Sequence, residues 1–361
     1  MRILIFYGTR PELIKLIPII YELKKESIEF YIVNVGQHKE LLNELEHDFD
    51  IFPDIKLDIM RHNQSLKDIL VNVANAVEPI LKSYQPDLVL VQGDTSTVST
   101  VAMICFYNNI KIGHIEAGLR SYNIQHPFPE EFNRRVVSLI ANYNFAPTEL
   151  SASNLRKEGI NNETIHITGN TVVDMVKLVR TKFNFKNNTQ RKKILITAHR
   201  RENHKDGIFN ICQAIIKLAT EFPELEFVWP LHPNPNIRMS LDARLYELEN
   251  VRICEPLNYI NLARELSESY IIWTDSGGIQ EECPSFKKPV LILRKVTERP
   301  EVIESGFGKI TDTDVDSIYS ESKELLTNQE LYNKRSGGVN PFGTGEAAFN
   351  IVQIIKKEFD A

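Results

Sequence analysis

Three carboxylates stand where short apolar runs give out. Asp94 follows Leu88-Val89-Leu90-Val91, Glu116 follows Ile112-Gly113-His114-Ile115, and Glu130 opens a helix-like segment after Pro129. Cations hold comparable places elsewhere. Arg10 and Lys15 lie at and after the end of the first apolar run, His199 and Arg200 after residues 193–197, His232 after 225–229, and Arg294 and Arg299 after 290–293. Acids gathered at one site can divide the work of giving and taking protons, because burial and like charge should lift at least one of them above the ordinary carboxylate range. Arginine, lysine and histidine suit a diphosphate. Each residue also has a plainer use. Asp94 could cap the helix near 96, Glu116 could pair with Arg120, Glu130 could simply favour a helix N-terminus, and His199 could be a packed histidine. Taken together the pattern says more. Acids collect in the first half and Ser/Gly turns with Arg and His in the second, as suits a nucleotide held by one half while the other works on its reacting group.

The densest stretch is Thr274-Asp275-Ser276-Gly277-Gly278-Ile279-Gln280-Glu281-Glu282, after the apolar run Tyr270-Ile271-Ile272-Trp273. A small, glycine-rich turn from strand to helix lets backbone N–H groups approach an anion. Asp275 or Ser276 would cap the helix, and the two glutamates one turn in could reach ribose hydroxyls. Neither a Walker A loop nor GxGxxG is present, and no HxxEH-type spacing suggests a metal site.

The elements that must position these residues alternate. Strands are expected at 2–7, 30–35, 87–91, 111–116, 143–146 and 165–168, with helices at about 10–23, 39–48, 65–84, 96–108, 130–142 and from Thr148. This is one doubly wound unit of about 170 residues. Residues 181–193, polar and rich in Asn and Lys, read as a linker. The pattern restarts with strands at 193–197, 225–229, 251–254, 270–274 and 290–293 and closes on a helix at about 345–358. Two Rossmann-like α/β domains facing across a cleft are predicted, the first over 1–172 and the second over 190–345, with ligands at the carboxyl ends of the strands.

Composition narrows the class. The chain has 361 residues, is 42% hydrophobic and 25% charged, and carries a net charge of −6, which disfavours nucleic acid as the main partner. Cys105, Cys212, Cys254 and Cys283 show no CxxC spacing and read as thiols of a cytoplasmic protein. No apolar run approaches 18 residues, so no membrane span is expected.

The motifs resemble those of the non-hydrolysing UDP-N-acetylglucosamine 2-epimerases. The similar stretches run in order along nearly the whole chain: Gly8-Thr9-Arg10-Pro11-Glu12, Gly36-Gln37-His38, Gly93-Asp94-Thr95, His114 to Arg120, Pro129-Glu130-Glu131, Thr168 to Thr171, His199 to Asn203, His232 to Pro235, Thr274 to Glu282, Thr297 to Glu301 and Asn340 to Gly343. The resemblance implies a GT-B-like fold with the C-terminal helix, about 346–361, packed back on the first domain, and a homodimer. It implies an isomerase needing no cofactor, which inverts C2 of UDP-N-acetylglucosamine through elimination of UDP to 2-acetamidoglucal and re-addition, for bacterial surface polysaccharide synthesis. Hydrolysing relatives release N-acetylmannosamine instead, and others act on modified UDP-sugars.

The family's catalytic residues match Asp94, Glu116, Glu130 and His199. Its nucleotide contacts match Arg10, Lys15, Ser276, Gly277, Gly278, Glu282 and Arg299, with uracil near Leu257 and Leu262. A second UDP-N-acetylglucosamine acts as activator in many members, at a site that includes the position of Gln37. Glu40 stands where that site has a second glutamine, and Asn63 falls near its arginine; an acid there repels a diphosphate.

Overall fold

The computed structural model describes residues 1–36, 39–59, 64–185, 191–200, 203–232 and 234–360. The chain divides into two compact units, Met1–Met175 with Phe342–Ala361, and Val176–Pro341.

The first unit is built on a parallel seven-stranded sheet: β1 (Arg2–Tyr7), β2 (Glu29–Asn34), β3 (Ile55–Lys56), β4 (Leu88–Gln92), β5 (Lys111–Ile115), β6 (Tyr143–Ala146) and β7 (Ile165–Ile167), in the order β3-β2-β1-β4-β5-β6-β7. Central strands covered on both faces read as unbroken apolar runs; Ile3 to Tyr7 and Leu88 to Val91 are all buried. The helices are α1 (Arg10–Lys25), α2 (Lys39–Asp48), α3 (Leu66–Tyr84), α4 (Ser96–Tyr107), α5 (Glu130–Ile140), α6 (Glu149–Lys157) and α7 (Thr171–Phe183). Ser65 caps α3 and Thr148 caps α6, each accepting from the backbone N–H three residues on. The strand order reverses between β1 and β4, so the loops after these strands diverge and leave a crevice at their carboxyl ends.

The second unit repeats the plan. Its strands are β8 (Lys193–Thr197), β9 (Glu226–Pro230), β10 (Val251–Cys254), β11 (Ile271–Thr274), β12 (Val290–Ile292) and β13 (Gly308–Ile310), in the order β10-β9-β8-β11-β12-β13. The reversal falls between β8 and β11. Helices α8 (Asp206–Glu221), α9 (Pro235–Arg238), α10 (Tyr259–Glu268), α11 (Gly277–Glu282), α12 (Pro300–Glu304), α13 (Val315–Thr327) and α14 (Gln329–Ser336) fill the connections. Ile208, Ile211, Ile215 and Leu218 of α8 pack with Phe227, Trp229 and Trp273 into one core.

The last helix, α15 (Ala347–Asp360), belongs to the first unit. Asp174 of α7 accepts from the N–H groups of Ala347 and Ala348, satisfying two free donors at its start, and Lys356 pairs with Glu26 at the end of α1.

Three sequence expectations change. Strands β3 and β13 went unread, because two or three residues give no period. Residues 181–183 are the last turn of α7 and not linker, since Val172, Val173, Val176 and Val179 set a buried helical stripe that carries the helix onward; residues 186–190 of the expected linker lie outside the described residues.

Candidate functional site

In the first unit the two loops at the strand reversal are tied by one buried carboxylate. Glu12, in the first turn of α1, accepts from Gly8 N (2.6 Å) and Thr9 N (3.1 Å) through Oε2 and from the Thr95 hydroxyl (2.8 Å) through Oε1. Burial pushes Glu12 above the usual carboxylate range against these bonds. Thr95, not Asp94, caps α4, its Oγ1 accepting from Val98 N. The Asp94 side chain is thereby free for another partner.

That partner is Arg134 of α5, whose Nη2 binds Asp94 Oδ2, while neighbouring Asn133 donates to the Asp94 carbonyl at 2.9 Å. The preceding carbonyl, Gly93 O, accepts from His114 Nε2 at 2.9 Å, and His114 Nδ1 faces the Ser138 hydroxyl at 3.4 Å. Burial pushes His114 down to about 4, so it stays a neutral donor that fixes the loop.

Glu116 sits just past β5 with φ +67°, a backbone strain that an L-residue bears only where its surroundings dictate it. Gly118 (φ +94°) completes the turn, because a Cβ there would lie 2.3 Å from Ser151 O. Glu116 Oε1 pairs with Lys15 and accepts from Asn170 Nδ2 at 3.3 Å, and its Oε2 accepts from Gln92 Nε2. Arg120 does not reach Glu116; its guanidinium forks onto Glu158 with contacts of 2.8–3.0 Å. Glu130 lies in the first turn of α5, its Oε2 buried without a hydrogen-bond partner. Its neighbour Glu131 is fully buried and accepts from Ser121 N, Tyr122 N and Arg135, pinning the loop before α5. Asp94 and Glu116 thus each carry a matched cation, whereas Glu130 keeps a buried oxygen unpaired. Arg10 opens α1, half-buried.

In the second unit Asp275 plays the tying role. Of the two caps the sequence offered for α11, Ser276 takes the N-cap position and Asp275 turns instead toward β8. Its Oδ2 accepts from His199 N (2.8 Å), Arg200 N (2.8 Å) and Asn203 Nδ2 (3.0 Å). Its Oδ1, fully buried, has no hydrogen bond and lies 3.3 Å from His199 Nδ1. The carboxylate faces Nδ1 and so leaves Nε2 as the working nitrogen. The partly exposed His199 ring stacks on His232, with centroids 5.6 Å apart. Burial and the neighbouring His199 hold His232 below the usual histidine range.

Ser276 stands at the N-cap of α11 without a side-chain cap bond. Arg299 lies over this turn: a Cβ on Gly277 would come 2.6 Å from its guanidinium carbon, so a side chain there would displace the guanidinium. Glu281 cannot turn to a ribose, since it is fully buried and accepts from Arg299 Nε at 2.7 Å. Glu282 is buried, with the Tyr259 hydroxyl 3.5 Å away. Glu298 braces Arg294 (2.9 Å) and Arg299 (3.4 Å). Burial opposes its charge, but Arg299 and Arg294 overcome this and hold it at about 2. Leu257 and Leu262 are half-buried before and within α10. Gln37 lies outside the described residues.

Sequence reading missed the supports: Glu12, Gln92, His114, Arg134, Asn170 and the true role of Asp275. Glu12, Gln92, His114 and Asn170 lie close to strand ends, whereas Arg134 lies inside α5 and carried no such signal. Among the described residues no group of His, Cys, Asp or Glu is placed to hold a metal ion, and no helix is long and apolar enough to cross a membrane.

Two all-parallel α/β units, each with its polar residues at the strand reversal, define the GT-B-like class of nucleotide-sugar proteins. The family model for UDP-N-acetylglucosamine 2-epimerase matches residues 21–356. A UDP-N-acetylglucosamine 2-epimerase of Campylobacter jejuni is 41% identical over 99% of this chain and 97% of its own length. The crystal structure of UDP-GlcNAc 2-epimerase from Neisseria meningitidis bound to UDP-GlcNAc is 42% identical and superposes with a TM-score of 0.91 over 99% of this chain and 100% of that one. The Methanocaldococcus jannaschii enzyme in complex with UDP-GlcNAc and UDP is 31% identical, with a TM-score of 0.84 over 99% and 100%. The chain belongs to the UDP-N-acetylglucosamine 2-epimerase family.

Proposed function

We propose that this protein reversibly inverts C2 of UDP-N-acetylglucosamine, giving UDP-N-acetylmannosamine for surface polysaccharide synthesis, and that it does so without net hydrolysis. The C2–H bond breaks as the C1–O bond to UDP breaks, leaving enzyme-bound 2-acetamidoglucal. UDP then adds back as a proton returns to the other face of C2. Such a reaction needs a proton acceptor and a proton donor on opposite faces of one carbon. The observation that carries the reading is the unequal state of the three acids: Asp94 and Glu116 lie against Arg134 and Lys15, while Glu130 holds a buried oxygen with no partner.

The leaving group needs partners of its own. His199, oriented by Asp275, would meet the departing phosphate through Nε2, with Arg10, Lys15 and Arg299 offsetting its charge. Ser276, Gly277 and Gly278 would receive the diphosphate, Glu282 the ribose, and the Leu257–Leu262 segment the uracil. Relatives solved with UDP-GlcNAc and UDP support this ligand class. Homodimer formation fits the large apolar side chains exposed on α3–α5: Leu70, Val71, Phe106, Tyr107, Phe132 and Leu139. A cytoplasmic location fits a nucleotide-sugar substrate. Activation by a second UDP-GlcNAc at Gln37 is a further proposal, weakened by Glu40 and Asn63.

Proton NMR of the protein with UDP-N-acetylglucosamine in D2O is the test. Appearance of UDP-N-acetylmannosamine, with deuterium at C2 of both epimers, is the expected result. Free N-acetylmannosamine with UDP would establish hydrolysis instead, and absence of both would refute the substrate.

A further inference from the structure

So far Arg134 enters only as the cation beside Asp94, yet its setting is unusual. Its side chain is only 6% exposed. It binds Asp94 Oδ2 through Nη2, and its Nη1 lies 3.6 Å from Glu131 Oε2. Both Nε and Nη1 are buried without a hydrogen bond. Leaving such donors unmade costs a folded protein more than a formed bond returns. A guanidinium with two idle buried donors is therefore placed for a second partner. Glu131 faces Nη1 only as an ion pair at 3.6 Å, without a hydrogen bond, and is itself held by Ser121 N, Tyr122 N and Arg135. His114 and Arg120, which share this neighbourhood, offer no anion. Glu130 does. It precedes Arg134 by four residues on α5, which sets the two side chains on one helix face, and its Oε2 is buried and equally idle.

We propose that Arg134 is a positioning residue, the shared counter-cation of Asp94 and Glu130. This rests on the epimerase reading above. When a proton leaves one face of C2 and another returns to the opposite face, one acid of such a pair gains a proton as the other loses one. The negative charge passes from one carboxylate to the other, and the pair's total stays constant. A fixed cation for each acid would oppose that passage. One guanidinium, bonded to Asp94 and carrying spare donors one helical turn from Glu130, balances either state. The side-chain bonds from Asn133 to the Asp94 carbonyl and from His114 to the Gly93 carbonyl hold the loop still meanwhile.

The test uses the full chain carrying Arg134→Gln or Arg134→Lys, with C2-protonated and C2-deuterated UDP-N-acetylglucosamine. For Arg134→Gln we expect kcat to fall by about a hundredfold, in the range of a lost proton-transfer aid, with KM nearly unchanged and a larger deuterium isotope effect on kcat. Arg134→Lys should recover part of the loss, since it restores charge but not the forked donors. Placed on a Glu130→Gln background, Arg134→Gln should cost much less than it does alone, because the charge it would balance is gone. A fall in kcat with an unchanged isotope effect, a fall that tracks a lowered Tm in both variants, or additivity with Glu130→Gln would overturn the assignment while leaving the epimerase reading intact. If the unmutated protein neither exchanges nor inverts C2, the epimerase reading falls, and this role with it.

Discussion

The two units solve the same problem with one device and differ in what they hang on it. At each strand reversal a buried carboxylate ties two diverging loops. In the first unit it is Glu12, which accepts from Gly8 N, Thr9 N and the Thr95 hydroxyl. In the second it is Asp275, which gathers His199 N, Arg200 N and Asn203 and also faces the His199 ring. On the proposed roles, the first unit keeps scaffold and chemistry on separate carboxylates, while the second makes one carboxylate serve both, so there a change in charge alone should disable the site.

Isosteric removal of charge tests this difference most sharply. In Asp275→Asn the amide oxygen can still accept from the backbone, so stability should stay within about 1 kcal/mol of the parent. The amide NH2, however, would donate toward His199 Nδ1 and draw the ring into the wrong tautomer. We expect kcat for epimerisation to fall by about a thousandfold. Urea unfolding beside steady-state kinetics checks both halves; equal losses in stability and activity would sink the distinction.

Gly277→Ala sharpens the second unit's side. The added Cβ would meet the Arg299 guanidinium at 2.6 Å and push it off the turn. A KM rise of about tenfold is expected, the cost of one charge-assisted contact. Calorimetric titration with UDP should show the same weakening, and unchanged affinity would remove Arg299 from the diphosphate site.

The two units also differ in the sign of their acid response. Glu298 is held at about 2 when folded, against an ordinary value of 4.5. Its contribution is complete above the upper figure and fades as pH falls through the lower one, where the folded and unfolded chains bind protons alike. Glu298→Gln should therefore be less stable than the parent at pH 7, with the gap narrowing steadily as pH falls below 4.5. Burial raises Glu12, so that carboxylate costs stability at neutral pH and the cost eases on acidification. Unfolding free energies at pH 7, 5 and 3.5 would expose the opposite slopes, and parallel curves for the two variants would contradict them.

The smallest effect belongs to Glu12→Gln. A glutamine oxygen can accept from Gly8 and Thr9 while its NH2 donates to the Thr95 oxygen, so activity should remain within about threefold of the parent. A loss as deep as that of Asp275→Asn would show that the first unit, too, relies on charge at its strand reversal.

Much of this was legible in the sequence. The runs at 3–7 and 88–91 are apolar throughout because parallel strands are covered on both faces, which marks a parallel α/β sheet and places polar residues at the strand ends. Asp94, Glu116, Glu130, His199 and the 274–282 turn stand out because their types are rare at the ends of apolar runs. Partners were another matter. Asp275 looked like the cap of the helix that follows it, and only the pairing of β8 with β11 brings His199 and Arg200 to its oxygens. Arg120 looked like the mate of Glu116, but the turn with positive φ at Glu116 carries that carboxylate to Lys15, 101 residues away. Sequence alone thus determined which residues are polar at the strand ends. Tertiary structure decided which are charge-matched, which only hold loops, and which oxygens stay unpaired, because hydrogen bonds and ion pairs act over a few ångströms that only the packed chain defines.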